Sequence, residues 1–333
     1  MEIRSPTNAF ISVDFPTLGF PMIFTNPALC IKCVKGTDFF SNFVSVMEDL
    51  HKYLQEQLKV YPLAAANYEK LRSVRTKEFK FDRFTIFVHF NPARAVSSLA
   101  KLDAKSIAER PCFLCEKNRP AEQGSIDFKG KYDICVNPFP ICTEHYTVIS
   151  KIHEPQKLSN AKIDDFFDLA EACKGWVALY NGAKSGASAP DHFHFQLGCT
   201  EYFTYPVETP MPGLINKISF FCKTKDEAAA KLKNTLNALS DGKWNPDATT
   251  LEEACEPQIN MFCEYTNGGF MTTLFPRKCH RPRQFFAEDE TKILISPGAI
   301  DMTGHLIVAR EEDFEKITKD ILIDVYNQVT NGI

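Results

Sequence analysis

The chain has 333 residues, 44% of them hydrophobic and 12% aromatic, a globular composition that excludes disorder as the default state. Its 38 basic residues against 42 acidic ones give a formal charge of −4 with no basic run, which excludes nucleic acid as a main partner. No apolar stretch approaches the roughly 20 residues of a membrane span. The 12 cysteines, in a long chain with no secretion signal, point to free thiols in a cytoplasmic protein rather than to a disulfide scaffold.

Residues 1–38 are interrupted by prolines, fit no clear element and read as an N-terminal extension with little fold content. Cys30 and Cys33 in "CIKC" lie there, a chance pair in a cysteine-rich chain rather than a rival set of metal ligands. "FFSNFVSVMEDLHKYLQEQL" has apolar residues at helical spacing and predicts a helix over 39–59. "FTIFVHF" (84–90) is a strand, and "PCFLCEKNRP" (111–120) is a loop bounded by prolines. Strands at 132–137 and 145–150 flank the turn "PFPICTE", and a helix is predicted over 162–179. The small-residue segment 181–190 then leads into the strand "HFHFQ".

A second helix is predicted over 225–239. "INMFCEY" and "FMTTLFPR" flank Asn267-Gly268-Gly269, a hairpin signature. "KILISP" and "GHLIVA" read as strands, and "EEDFEKITKDILIDVYNQV" as one closing helix. "EHYTVISK" (144–151) and "GHLIVARE" (304–311) echo each other, which suggests two related halves, 39–215 and 216–333.

The chemistry concentrates in "SGASAPDHFHFQLGC". Side chains two apart in a strand share a face, so His192, His194 and Gln196 lie on one side and Phe193 and Phe195 on the other. A neutral imidazole can attack phosphorus and form a covalent intermediate. A neighbouring glutamine offers an uncharged NH₂ to a phosphate oxygen. Glycines 182 and 186, with Ser188, allow backbone N–H groups close to an anion. A half-buried strand with a polar outer face is the alternative, which the small-residue run and the glutamine disfavour.

These residues carry a resemblance. "NGAKSGASAPDHFHFQ" looks like the active-site signature of the galactose-1-phosphate uridylyltransferase branch of the histidine triad superfamily. "CFLCEKN" resembles the zinc-binding Cys-x-x-Cys segment of those enzymes. "VNPFP…EHYTVISKIHEPQ", "PVE" (206–208) and "ISPGAIDMTGHLIVAREEDFE" look more like GDP-hexose phosphorylases. Diadenosine tetraphosphate phosphorylases share the "SGAS-P-H-x-H-x-Q" layout.

The resemblance implies an α+β fold of two histidine-triad-like halves, each an antiparallel sheet with packed helices, the first half catalytic and the second degenerate. It implies that His194 is the nucleophile and that Gln196 holds the transferred phosphate. Asn137 would contact the nucleotide, with Asn181, Gly186 and Ser188 around the phosphates. Glutamine cannot protonate a leaving group as the third histidine of the triad hydrolases does. The implied reaction is therefore nucleotidyl transfer from a nucleoside diphosphate sugar, GDP-hexose by preference, to phosphate or a sugar phosphate. UDP-hexose uridylyl transfer and dinucleoside polyphosphate phosphorolysis are the alternatives; a nucleotide-binding module and a zinc-stabilised interaction protein are the non-enzymatic ones. No organic cofactor is expected. Relatives of this kind are often homodimers with the active site near the interface.

Cys112 and Cys115 have zinc-ligand spacing. The resemblance adds His153 and His192, which would complete a structural Cys₂His₂ site. One departure is Asp191, which stands between Pro190 and His192 where the uridylyltransferase pattern has proline directly before histidine. Among lesser candidates, His145 and His305 read as satisfied strand histidines. Arg277, Lys278, Arg281 and Arg283 in "PRKCHRPR", and more weakly Arg94, could clamp phosphate or form solvated loops.

Overall fold

The computed structural model describes residues 43–82, 84–98, 100–199 and 214–330. The extension 1–38, with Cys30 and Cys33, and "PVE" at 206–208 lie outside the described residues. Helices α1 (Phe43–Val60) and α2 (Pro62–Leu71) lead into the paired strands β1 (Arg75–Lys80) and β2 (Thr85–Phe90). Short helices α3 (Ala95–Ser98) and α4 (Ala104–Glu109) precede β3 (Ile126–Phe128), β4 (Tyr132–Val136) and β5 (His145–Ser150). Helix α5 (Asn160–Ala172) is followed by β6 (Trp176–Asn181), β7 (His194–Cys199) and β8 (Ile218–Cys222). Helices α6 (Lys225–Leu239) and α7 (Leu251–Ala254) come before the hairpin β9 (Ile259–Thr266) and β10 (Gly269–Pro276). The rest is α8 (Arg283–Phe286), β11 (His305–Val308), α9 (Glu311–Lys316) and α10 (Lys319–Val329).

The α+β class stands. Eight strands form one sheet in the order β3-β4-β5-β7-β6-β9-β10-β8, antiparallel throughout. Strands from 39–215 and from 216–333 are thus hydrogen-bonded together, through β6 and β9. A second sheet, β1-β2-β11, has β11 parallel to β2. The echoing segments therefore sit differently: β5 runs inside the large sheet, β11 at the edge of the small one.

One face of the large sheet is closed by helices. Phe166 and Phe167 of α5 and Leu232 and Leu236 of α6 pack with Tyr146, Phe193, Phe195 and Leu197. Each such side chain, fully buried, contributes about 2–3 kcal/mol of transfer free energy. On the other face, Val177, Leu179, Phe262 and Phe275 are covered by Val88, Leu306, Leu322 and Tyr326. Over β5 and β7 that same face forms the floor of a cavity.

Three expectations need correction. The helix predicted over 162–179 ends at Ala172, and Trp176–Asn181 is a strand buried at every position. Gly175, at φ +84°, breaks the helix, and a continuous apolar run reads alike as buried helix or buried strand. "KILISP" has the alternation of a strand, with Ile293 and Ile295 buried, but it pairs with no strand among the described residues. Its backbone N–H groups go instead to the Gln284 carbonyl and the Asp313 carboxylate. The closing helix is two helices, because Thr318 caps a new one by accepting the Ile321 N–H. The hairpin turn is as expected: Asn267 and Gly268 have φ of +52° and +69°, the left-handed pair that a type I′ turn requires.

Candidate active site and adjoining Cys-His cluster

A cavity of about 430 Å³ opens over β5, β6 and β7, within the size range of small-ligand pockets. Asn137, Asn181, Gly186, Ser188, His194 and Gln196 all line it. The alternation read from the sequence explains the floor, since Phe193 and Phe195 point into the helix-covered core while His194 and Gln196 face the cavity.

His194 is buried, and burial pushes its pKa down to about 4, so the ring is neutral near pH 7. The backbone carbonyl of His192 lies 2.9 Å from Nδ1 and accepts its proton. In a neutral imidazole this leaves Nε2 with a bare lone pair. Gln196 places Oε1 2.8 Å from Nε2 of the fully buried His145. Burial, and after it the charge of Arg94, push the His145 pKa down to about 3.

A residue that sequence reasoning passed over holds this strand in place. The ladder between β6 and β7 stops at Leu179↔Gln196. Beyond it the buried Gln156 takes the place of the next rung: its Nε2 donates to the carbonyls of Asn181 and His194, both at 2.9 Å, and its Oε1 accepts the His194 N–H at 2.8 Å. Gln156 stands in the quoted "KIHEPQ", but a glutamine acting as a strand has no local signature.

Asn181 is fixed from the C-terminal part of the chain. Its Oδ1 accepts from Asn260 Nδ2 at 2.7 Å and from the Ala299 N–H at 2.8 Å. Asn260 also donates to the Ser185 carbonyl and accepts from Arg277. Arg277 is buried and spends its guanidinium on these groups and on the carbonyls of Cys279, His280, Pro297 and Val329. It is a scaffold rather than a phosphate clamp. Arg281 lines the cavity, with Nε donating to Ser296 Oγ at 3.0 Å and Nη2 to the Ala100 carbonyl at 2.8 Å. Arg94 lines it too; Nη1 donates to the Phe139 carbonyl at 2.6 Å, and the buried Nε has no partner among the described residues. Asn137 is engaged locally, its Oδ1 accepting the Phe139 N–H and its Nδ2 donating to Thr147.

Gly186 has φ +107°, and a Cβ there would lie 2.6 Å from Gly298 Cα and 3.2 Å from Pro297 O. Gly186→Ala is therefore expected to cost about 2 kcal/mol or more and to weaken ligand binding in the cavity, since strain and a backbone clash add. Urea denaturation measures the first and calorimetric titration the second. An unchanged unfolding midpoint would show that the two loops separate freely.

Beside the cavity, Cys112, Cys115, His153 and His192 converge, with their ligand atoms all within 4.8 Å of one another. Nδ1 of His192 is 3.2 Å from Cys112 Sγ, 3.5 Å from Cys115 Sγ and 3.3 Å from His153 Nδ1. A tetrahedral ion bound at about 2.3 Å to sulfur and about 2.0 Å to nitrogen gives edges of roughly 3.3–3.8 Å, so the donors have fitting separations. Nε2 of His192 donates to the Ser150 carbonyl at 2.8 Å, which turns Nδ1 toward the cysteines. Asp191, the departure from the family pattern, pairs with Arg110 at 2.5 Å and ties the cysteine loop to the active-site strand.

The ten described cysteines are all free thiols, and among the described residues no helix is long and apolar enough to cross a membrane. A family model described as "Domain of unknown function (DUF4922)" matches residues 53–199. No curated protein matches the sequence. The fold is similar to the crystal structure of yeast Ap4A phosphorylase Apa2, with a TM-score of 0.51 and 14% identity over 82% of this chain and 97% of that one. For the same yeast protein in complex with Ap4A the TM-score is 0.56, again at 14% identity, over 85% and 98% of the two chains.

Proposed function

We propose that this protein transfers a nucleotidyl group from a nucleoside diphosphate hexose, GDP-hexose by preference, to phosphate or a sugar phosphate. The observation that carries this reading is the pairing of a neutral His194, bare at Nε2, with Gln196 on the floor of one cavity. Nε2 attacks the α-phosphorus; a P–N bond forms as the bond from that phosphorus to the bridging oxygen breaks. The hexose phosphate departs with the electron pair and needs no proton. The positive charge that develops on the ring is shared with the His192 carbonyl through Nδ1–H. An oxygen of phosphate then attacks the same phosphorus, the P–N bond breaks, and the nucleoside diphosphate is released.

Gln196 would donate to a non-bridging oxygen, the 181–188 segment would cradle the phosphates, and Arg94 and Arg281 would supply cationic hydrogen-bond donors. Cys112, Cys115, His153 and His192 would hold a structural zinc ion that fixes the start of the active-site strand. The preference for GDP-hexose rests on the resemblance of the 295–315 stretch. A second reading, phosphorolysis of a dinucleoside polyphosphate, is favoured by the structural likeness to an Ap4A phosphorylase.

Intact-mass measurement after incubation with GDP-hexose, UDP-hexose or Ap4A, without acceptor, tests and separates these readings. A GMP adduct supports the first donor, a UMP adduct the second, an AMP adduct the third. Binding of all three with no adduct would reduce the cavity to a nucleotide-binding pocket.

A further inference from the structure

We infer that His145 is a positioning residue that decides which end of the Gln196 amide meets the transferred phosphoryl group. The inference rests on the nucleotidyl-transfer reading. A phosphoryl group offers only acceptor oxygens, so a glutamine beside it is useful with its NH₂ forward and repulsive with its carbonyl forward. Nothing in an isolated amide selects between the two, because a flip of the terminal torsion exchanges them at little cost.

The selection comes from a chain of polarity that begins in the backbone. Ile141 N–H is 3.3 Å from His145 Nδ1, and a backbone N–H can only donate. Nδ1 must therefore carry the lone pair, and in the neutral ring the proton sits on Nε2. Nε2–H then needs an acceptor, and the atom 2.8 Å away is Gln196 Oε1. With its oxygen engaged, the amide turns its NH₂ to the cavity that Gln196 lines. A flipped amide would set N–H against N–H.

The ring has no room to evade this. His145 pairs with Gly198 and Thr147 with Gln196, so His145 is the diagonal neighbour of Gln196 across β5 and β7. It is fully buried, its carbonyl accepts from Asn137 N–H at 2.9 Å and from the Tyr68 hydroxyl at 3.0 Å, and protonation is opposed by burial and by Arg94. The turn that resembles GDP-hexose phosphorylases, "NPFP", thereby acquires a role at a distance: it delivers the Ile141 N–H.

Two measurements test this. In wild-type protein labelled with ¹⁵N-histidine, the His145 ring is expected to be protonated at Nε2 and bare at Nδ1 near pH 7; the opposite tautomer would overturn the inference without any substitution. In a double-mutant cycle, His145→Ala is expected to slow adduct formation by about 10- to 100-fold, the worth of a hydrogen bond to a charged group, with donor Kd changed only a few fold. In a Gln196→Ala background the same substitution is expected to add almost nothing. Equal, additive losses in both backgrounds would make His145 a merely structural residue. Wild-type protein that forms no adduct would sink the functional reading instead, while the tautomer would still judge the positioning.

Discussion

His194→Ala is expected to form no nucleotidyl adduct and to lower turnover by ~10⁴-fold or more, because on the proposed mechanism it removes the route itself rather than one stabilising contact along it. Folding is expected to survive. The ring borders a cavity instead of the aromatic core, and the strand around it is held by backbone bonds to Gln156 that alanine keeps. Donor binding is likewise expected to stay within a few fold, since Asn181, Gly186, Ser188 and Arg94 remain. Mass measurement, steady-state kinetics and calorimetric titration separate the three effects. An adduct that persists in His194→Ala would move the nucleophile elsewhere and end the mechanism given above.

The second large effect is expected from Cys112→Ser. Wild-type protein purified without chelator is expected to carry close to one zinc ion per chain by elemental analysis, and the variant to carry almost none, with a Tm lower by roughly 10 °C or more. Metal binding free energy is folding free energy where the ligands come from separate segments, and here they come from the 112–115 loop, the turn after β5 and the residues just before β7. A functional loss of about 10- to 100-fold in adduct formation is expected to follow, for a local reason. His192 presents its ring to the cluster and its carbonyl to His194 Nδ1, so a loosened His192 releases the tautomer of its neighbour. Metal-free wild-type protein with an unchanged Tm would remove zinc from the account.

The placement of the candidate site was legible in the sequence wherever it is local. Period-two alternation placed His194 and Gln196 on one face and two phenyl rings on the other. The Cys-x-x-Cys spacing pointed to one half of the four-residue cluster, and the family resemblance to His153 and His192. What escaped depends on register between distant segments. Nothing near Asn260 or Arg277 announces that one holds Asn181 and the other holds the first. Gln156 works only because β6 and β7 part company at one rung. The 292–297 segment read as a strand, since its alternation is real and only the partner strand is missing among the described residues. Strand β6 was hidden by its own burial, which erases the polar positions that distinguish a strand from a helix.

The bond from Ala299 to Asn181 joins positions 118 residues apart and clamps the 181–188 segment from outside. A ribosome-bound chain that has emerged only as far as β7 thus holds His194 and Gln196 without the brace that fixes Asn181. Long-range closures of this kind slow folding. The cavity, whose lining includes residues from 280 to 307, is therefore complete only once the late segments arrive.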